Sequence, residues 1–422
     1  MMKKNFDVIV VGAGPSGMMA AIAAAEAGAE VLLIEKNKKL GRKLLLTGGG
    51  RCNVTNNRDV DDLISHIPGN GKFLYSTFSQ WNNLDIMEFF ESNGVHLKEE
   101  DHGRMFPVTD KSKTIVDALA NKLQELNVTL LTNTVVKKLL HDGESITGAR
   151  TELEDFQSHC VVLTTGGRTY PSTGATGDGY RLVKRVGHTI TPLFATESPL
   201  VSEDSFIKEK TLQGISLQDV ELSIVDEKNK TVVSHTMDLL FTHFGLSGPA
   251  ALRCSYFVNR LLEKQETVTA MLDCFPEKNL PQLVAEMRDQ TAGSKKNLKN
   301  ALQSFLPDRL LQFYLEQAEL EQIVAEKATD EQLEHLAKLF KHFPITITKT
   351  FPLEKSFVTG GGIQLTEVSP KTMESKIING LFFGGELLDI NGYTGGFNIT
   401  AGFCTGHVAG THAAEVASYF HY

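Results

Sequence analysis

No run of this 422-residue chain is long, apolar and uncharged enough to span a bilayer, so no membrane partner is expected. The N-terminal MMKKNFD carries two lysines, but Asp7 and the glycines beyond it interrupt any signal-peptide core. Cysteines are few, scattered (Cys52, Cys160, Cys254, Cys274, Cys404) and odd in number, which suits a reducing cytoplasm better than a disulfide framework. No C-x-x-C occurs, which argues against dithiol redox chemistry, and no His/Cys cluster has zinc-like spacing, so no metal is expected. Cations are outnumbered, giving a net charge of −9 that disfavours nucleic acid on average and leaves local patches open. No segment marks an obligate protein partner. The length suits two or three domains.

What is present centres on Phe6 to Lys36. Asp7 to Val11 is a β-branched run without polar alternation, as in a parallel strand buried on both faces. Gly12, Gly14 and Gly17 follow as G-x-G-x-x-G: a tight turn, a close approach to pyrophosphate, and close helix packing. Pro15 to Ala27 predicts an alanine-rich helix whose N-terminus offers unpaired N–H groups to an anion. Val31 to Ile34 predicts the next strand, and Glu35 at its tip can accept both hydroxyls of an unphosphorylated ribose. An ordinary glycine turn lacks this context. The segment predicts a site for FAD or NAD rather than NADP.

Lys36, Lys38, Lys39, Arg42, Lys43 and Arg51 place six cations before and within Thr47-Gly48-Gly49-Gly50-Arg51-Cys52-Asn53. A solvated basic loop would look similar, but three consecutive glycines suit backbone that must approach a flat ligand. Cys52 reads as a reactive thiol, a proton donor or a small core residue. Helices are expected at Leu63–Ile67, Gly71–Gln80, Asn83–Ser92 and Ser112–Leu126, with a hairpin over GVHLKEEDHGRMFP. Val128–Thr132, Val135–Leu140 and Ser145–Thr151 predict a small antiparallel meander. Cys160 to Gly167 is a further buried strand running into glycines, and Asp178 is an N-cap candidate for a helix at Tyr180–Val186.

The proline-rich TPLFATESPLVSED marks a boundary near Thr191. Alternating runs (Val220–Val225, Thr231–Ser234, Thr267–Leu272) predict a small β-barrel or sandwich, and His243 beside a glycine-bounded turn is either structural or a site residue. Residues 277–342 are helical and charged, with basic spots at Lys295, Lys296, Lys299, Lys338 and Lys341. From Pro344 strand patterns return, and Leu381–Phe383 runs into Gly384-Gly385-Glu386 with Asp389 beyond. Gly395-Gly396-Phe397-Asn398 opens a small-residue helix at Ile399–Ala409, whose N–H groups could stabilise charge on a reduced flavin. The expected fold is α/β, with a discontinuous Rossmann-like FAD-binding domain of glutathione reductase type (1–190 and 344–422). It encloses a β-barrel-like insert (191–276) and a helical insert (277–343).

GGGRCNVTN (48–56), YPSTGATGDGYRL (170–182), LFTHFGLSGPA (240–250), VTGGGIQL (358–365) and KTMESKIINGLFFGGELLDINGYTGGFNITAGFCTG (371–406) resemble the bacterial HI0933-like family of NAD(P)/FAD-dependent oxidoreductases. That resemblance implies one FAD, its ADP half on Gly12, Gly14, Gly17 and Glu35, the rest lined by Arg51, Gly166, Glu386, Asp389, Gly396 and Asn398. With neighbours, the cofactor-binding candidates also include Pro15, Ser16, Lys36, Lys43, Gly49, Gly50, Cys52, Thr165, Gly167, Gly385, Gly395 and Phe397.

The resemblance further implies hydride transfer from flavin N5 to an activated C=C bond, as in steroid double-bond reduction or dihydrouridine formation in ribosomal RNA. NADH or NADPH would recharge the flavin by transient docking, because no second G-x-G-x-x-G is present. His243, Cys52 and Arg51 are the catalytic candidates, as proton donor or oxyanion partner. The substrate stays open between a small enone and RNA, the latter along a basic track from Lys36–Lys43 and the helical insert. A flavoprotein signalling by redox state is a third reading.

Overall fold

A computed structural model describes residues 4–421, so Met1 to Lys3 of the N-terminal segment and the terminal Tyr422 lie outside the described residues. The chain divides into two units, one of residues up to 194 and from 353 onward, the other of residues 195–352.

The first unit is built on a five-stranded parallel sheet. Its order is Leu381–Phe383, Cys160–Leu163, Val8–Val11, Val31–Ile34, Thr129–Leu131. The three central strands are buried at every position, which is why they read as unbroken apolar runs. The helix Pro15–Glu26 lies against the 22-residue helix Phe397–Ser418, and two glycines one turn apart set their spacing. A Cβ on Gly406 would fall 2.2 Å from the Ser16 carbonyl oxygen, and one on Gly410 would fall 2.1 Å from that of Ala20. Backbone therefore packs on backbone, and the alanines of the first helix fill the remaining seam.

Two small sheets decorate this unit. Leu97–Glu100 and Arg104–Pro107 form the expected hairpin, joined by Thr55–Asn56. The meander differs from expectation: it consists of Val136–His141, Ile146–Thr151 and Asp155–Gln157. Thr129–Leu131 instead pairs parallel with Val31–Ile34, because the helix Ser112–Glu125 carries the chain back across the sheet. The segment 71–78 is a 3₁₀ turn followed by one α-turn rather than a single helix.

The second unit is a closed six-stranded barrel in the order Leu200–Ser202, Gly245–Ser247, Thr231–Phe241, Ser216–Val225, Val268–Asp273, Phe343–Thr350. The strand pattern that resumes at Pro344 thus first completes this barrel. Alternation along Ser216–Val225 sends Leu217, Val220, Leu222 and Ile224 inward. Helices Leu280–Thr291, Asp308–Gln317 and Asp330–Lys341 share one apolar cluster with the barrel, joining Leu283, Leu311 and Phe340 to Leu222, Ala270 and Ile345. Among the described residues no helix is long and apolar enough to cross a membrane, and no group of His, Cys, Asp and Glu could hold a metal ion.

The glycine seam makes a paired prediction. Gly410→Ala drives a methyl into the Ala20 carbonyl and is expected to destabilise the protein by about 1–3 kcal/mol in urea denaturation. Gly402→Ala, whose Cβ meets no atom within 4 Å, is expected to be neutral or stabilising by up to about 1 kcal/mol.

Candidate functional site

The fingerprint turn is held by contacts that admit no side chain at two of its three glycines. Gly12 has φ +100°, and a Cβ there would sit 2.7 Å from the Thr164 carbonyl oxygen. A Cβ on Gly17 would sit 1.8 Å from the Gly12 carbonyl oxygen and 2.4 Å from Thr164 Oγ1. Gly14 differs: its Cβ would meet nothing within 4 Å, so the space beside it is open. Gly49, Gly50 and Gly166 face open space in the same sense. Ser16 Oγ, in the first helical turn, and Thr165 Oγ1 are buried without a hydrogen-bond partner in the structure. Open space beside Gly14, the orphaned Ser16 hydroxyl and the N-terminus of its helix form a donor set that fits a pyrophosphate, while Thr165 Oγ1 faces Gly179.

Glu35 is buried at the tip of Val31–Ile34 and fastens the turn. One carboxylate oxygen accepts from Ala13 N at 2.8 Å, and the other from Asn37 N at 2.8 Å and Asn37 Nδ2 at 2.6 Å.

Three cations of the following segment are committed to partners remote in sequence. Lys43 Nζ donates to Glu386 Oε2 at 2.7 Å and to Thr169 Oγ1 at 2.6 Å. Burial would raise the Glu386 carboxyl, but Lys43 and the Thr359 N–H, which donates to it at 2.8 Å, hold it below the usual range. Lys36 Nζ donates to Asp178 Oδ2 and to Thr176 Oγ1, both at 2.7 Å. Asp178 is not the helix cap: Gly177, at φ +79°, holds that position, and the aspartate opens the helix Asp178–Arg185 with its side chain turned to Lys36, Thr176 and Arg181. Burial opposes ionisation there, yet these partners pull its pKa down to about 2. Arg51 donates to Glu100 at 2.8 Å and to Asp110 at 3.4 Å, and lies over the Phe106 ring at 4.2 Å.

The C-terminal stretch arrives by a similar glycine device. Gly395 and Gly396 have φ of +126° and +98°, and a Cβ on Gly396 would fall 2.7 Å from the Thr55 backbone. Phe397 is buried and stacked on His66 at 4.6 Å. Asn398 closes the preceding loop: its Oδ1 accepts from Gly392 N at 2.8 Å and its Nδ2 donates to the Gly392 carbonyl at 2.7 Å. Gly385 N donates to Thr405 Oγ1 at 2.9 Å, and Thr191 Oγ1 donates to Asp389 Oδ2 at 3.1 Å.

The fingerprint, the 36–52 segment, Thr165–Gly167 and the 385–398 stretch all belong to the first unit. His243 belongs to the second, as an exposed imidazole in the turn between two barrel strands, its ring edge-on to Phe244. Cys52 is buried with φ +63°, and burial pushes its thiol up to about 12, so it stays protonated at neutral pH. Sequence reasoning missed the threonines: Thr164, Thr169, Thr176 and Thr359 knit the loops together by side-chain hydrogen bonds. Their only signal was placement inside the glycine-rich motifs.

The family model for the HI0933-like protein Rossmann domain matches residues 6–412. Ribosomal RNA dihydrouridine synthase of Escherichia coli (strain K12) is 31% identical over 399 residues, covering 94% of each chain. The 3-dehydro-bile acid delta(4,6)-reductase of Clostridium scindens is 28% identical over 411 residues, covering 96% of this chain and 98% of that protein. Among solved structures, 3-ketosteroid delta1-dehydrogenase from Sterolibacterium denitrificans has the same fold, with a TM-score of 0.54 at 14% identity over 98% of this chain and all of that one.

The Asp178 cluster has a signed pH dependence. A carboxylate depressed from 3.8 to about 2 stabilises the fold fully above pH 3.8, and that stability is lost as pH falls toward about 2. Asp178→Asn is therefore expected to lower the denaturation midpoint at pH 7. The gap to the unsubstituted protein should hold down to pH 4 and then narrow, as measured by urea melts across that range.

Proposed function

The chain belongs to the HI0933-like family of FAD-dependent oxidoreductases, and from that premise we propose that it reduces an activated carbon–carbon double bond at the expense of NADH or NADPH. The observation that carries the reading is the cradle around Gly14: open backbone, the orphaned Ser16 hydroxyl and a helix N-terminus. The two relatives supply the chemistry, since dihydrouridine is uridine with one ring double bond reduced and a delta(4,6)-reductase acts on ring double bonds of a 3-ketosteroid.

FAD, when bound, supplies the hydride equivalent. The protein's part is binding and electrostatics. Ser16 and the first-turn N–H groups of Pro15–Glu26 hold the phosphates, and Glu35 takes the adenosine ribose. Lys43 keeps Glu386 ionised, so that this carboxylate is a pure acceptor for cofactor hydroxyls. The positive end of Phe397–Ser418 favours negative charge on an electron-rich ring. Cys52, its thiol pushed up to about 12 by burial, is a neutral thiol rather than a thiolate nucleophile. Arg51 is a positioning charge, fixed by two carboxylates and an aromatic face.

Two substrate classes carry such a bond: a small enone, and uridine within RNA. The acidic whole-chain charge favours the first, and the higher identity to an RNA-acting relative favours the second.

Anaerobic titration of the purified yellow protein with NADPH and NADH tests the reading. Rapid loss of the visible flavin band is expected with one of them, followed by reoxidation with unmodified ribosomal RNA or with an enone. Persistence of the band with both would remove the nicotinamide step. Gly14→Val separates cofactor from fold: its φ of −77° suits any residue and its Cβ meets no atom, so apoprotein stability should stay within about 1 kcal/mol. The variant should purify without FAD, measured as flavin released on denaturation. Retention of FAD at full stoichiometry would sink the assignment of the cradle.

A further inference from the structure

We propose that the first unit carries an RNA-docking surface, separate from the cofactor cradle, formed by Lys38, Lys39, Lys138, Lys184 and Arg185. The proposal rests on the RNA reading of the substrate for its choice of partner. Three segments seated against one another carry these residues. Asn133 N donates to the Asn37 carbonyl at 3.1 Å, which seats the 37–39 segment beside the lead into Val136–His141. Arg185 NH1 donates to the Lys137 carbonyl at 3.2 Å, which seats the last turn of Asp178–Arg185 on that same strand. The Lys36–Asp178 ion pair ties the first turn of this helix back to the 36–39 segment.

All five side chains are exposed, and among the described residues none is paired with a carboxylate. In a chain of net charge −9 they are a local group of cations with no carboxylate partner. Lys36, Lys43 and Arg51 of the basic segment are ion-paired. So are Lys299, Lys338 and Lys341 of the helical segment, whereas Lys295 and Lys296 there are exposed. Carboxylates bordering the surface are already engaged: Glu152 with Lys137, at 3.7 Å, and Asp178 with Lys36 and Arg181.

Lys184 and Arg185 have an alternative explanation, since cations at a helix C-terminus offset its negative end. That leaves Lys38, Lys39 and Lys138, on two other segments, unexplained by local structure. Unpaired cations held on a strand, a helix and a fastened loop form a pre-set lattice for backbone phosphates. Such contacts carry no base preference, so the surface would hold the polymer and leave base choice to the redox site.

The test compares the full-length holoprotein with a Lys38→Gln/Lys138→Gln/Lys184→Gln/Arg185→Gln variant, in binding to an unmodified ribosomal RNA transcript across a salt series. The variant is expected to bind at least about tenfold more weakly, with a log K against log salt slope shallower by about 3. FAD content, NADPH-driven bleaching and turnover of a small enone should be unchanged. A Lys295→Gln/Lys296→Gln variant should bind RNA like the unsubstituted protein. Equal affinity and slope in the first variant would overturn the surface while leaving RNA as substrate. A raised requirement for NADPH would overturn it in favour of a nicotinamide-nucleotide site. Absence of RNA binding by the unsubstituted protein would overturn both the surface and the RNA reading, with the reductase reading judged by enone turnover alone.

Discussion

The first unit depends on backbone packing directly against backbone at positions where no Cβ fits. Gly17 lies on the Gly12 carbonyl, Gly12 on Thr164, and Gly406 and Gly410 on the carbonyls of Ser16 and Ala20. These contacts bring the first strand, the strand before Thr164, the fingerprint helix and the C-terminal helix into one tight stack. Interiors packed at this density do not yield to an added methylene without moving something else. Beside that stack Gly14 alone of the three fingerprint glycines has an open flank, where a Cβ would meet no atom within 4 Å.

Electrostatics then fasten the loops that the stack leaves free. Lys36 and Lys43 reach back across the chain to Asp178 and Glu386, each surrounded by threonine hydroxyls that complete the hydrogen bonding. Half-buried pairs of this kind are less screened by salt than surface pairs. They also keep two carboxylates ionised where burial alone would favour the acid.

Much of this was legible in the sequence, for reasons of locality. The fingerprint turn, the helices Asn83–Ser92 and Ser112–Glu125, and the glycine entry to the last helix are specified by residues within a few positions of each other. What the sequence hid was long-range. Thr129–Leu131 has the same composition whether it joins a meander or the main sheet, and only the crossover helix decides. Phe343–Thr350 alternates as a barrel strand should, yet both its barrel neighbours lie before the helical segment that separates it from them. The roles of Lys36 and Lys43 were hidden because their partners lie 142 and 343 positions away, and Asp178 looked like a cap because helix entry is a local pattern. Cys52 could be judged only once its burial was known.

The same long reach bears on the order in which a ribosome delivers the parts. The G-x-G-x-x-G turn and its apolar strands are made first, while the outer sheet strand Leu381–Phe383, Glu386 and the helix bearing Gly406 and Gly410 are made last. Through most of translation the fingerprint helix therefore has no partner for its alanine face, and Lys43 has no carboxylate. The barrel unit, encoded between them, can close around its own apolar core in the interval. A nascent or C-terminally shortened polypeptide thus has the fingerprint turn but neither the carboxylate partner of Lys43 nor the glycine seam.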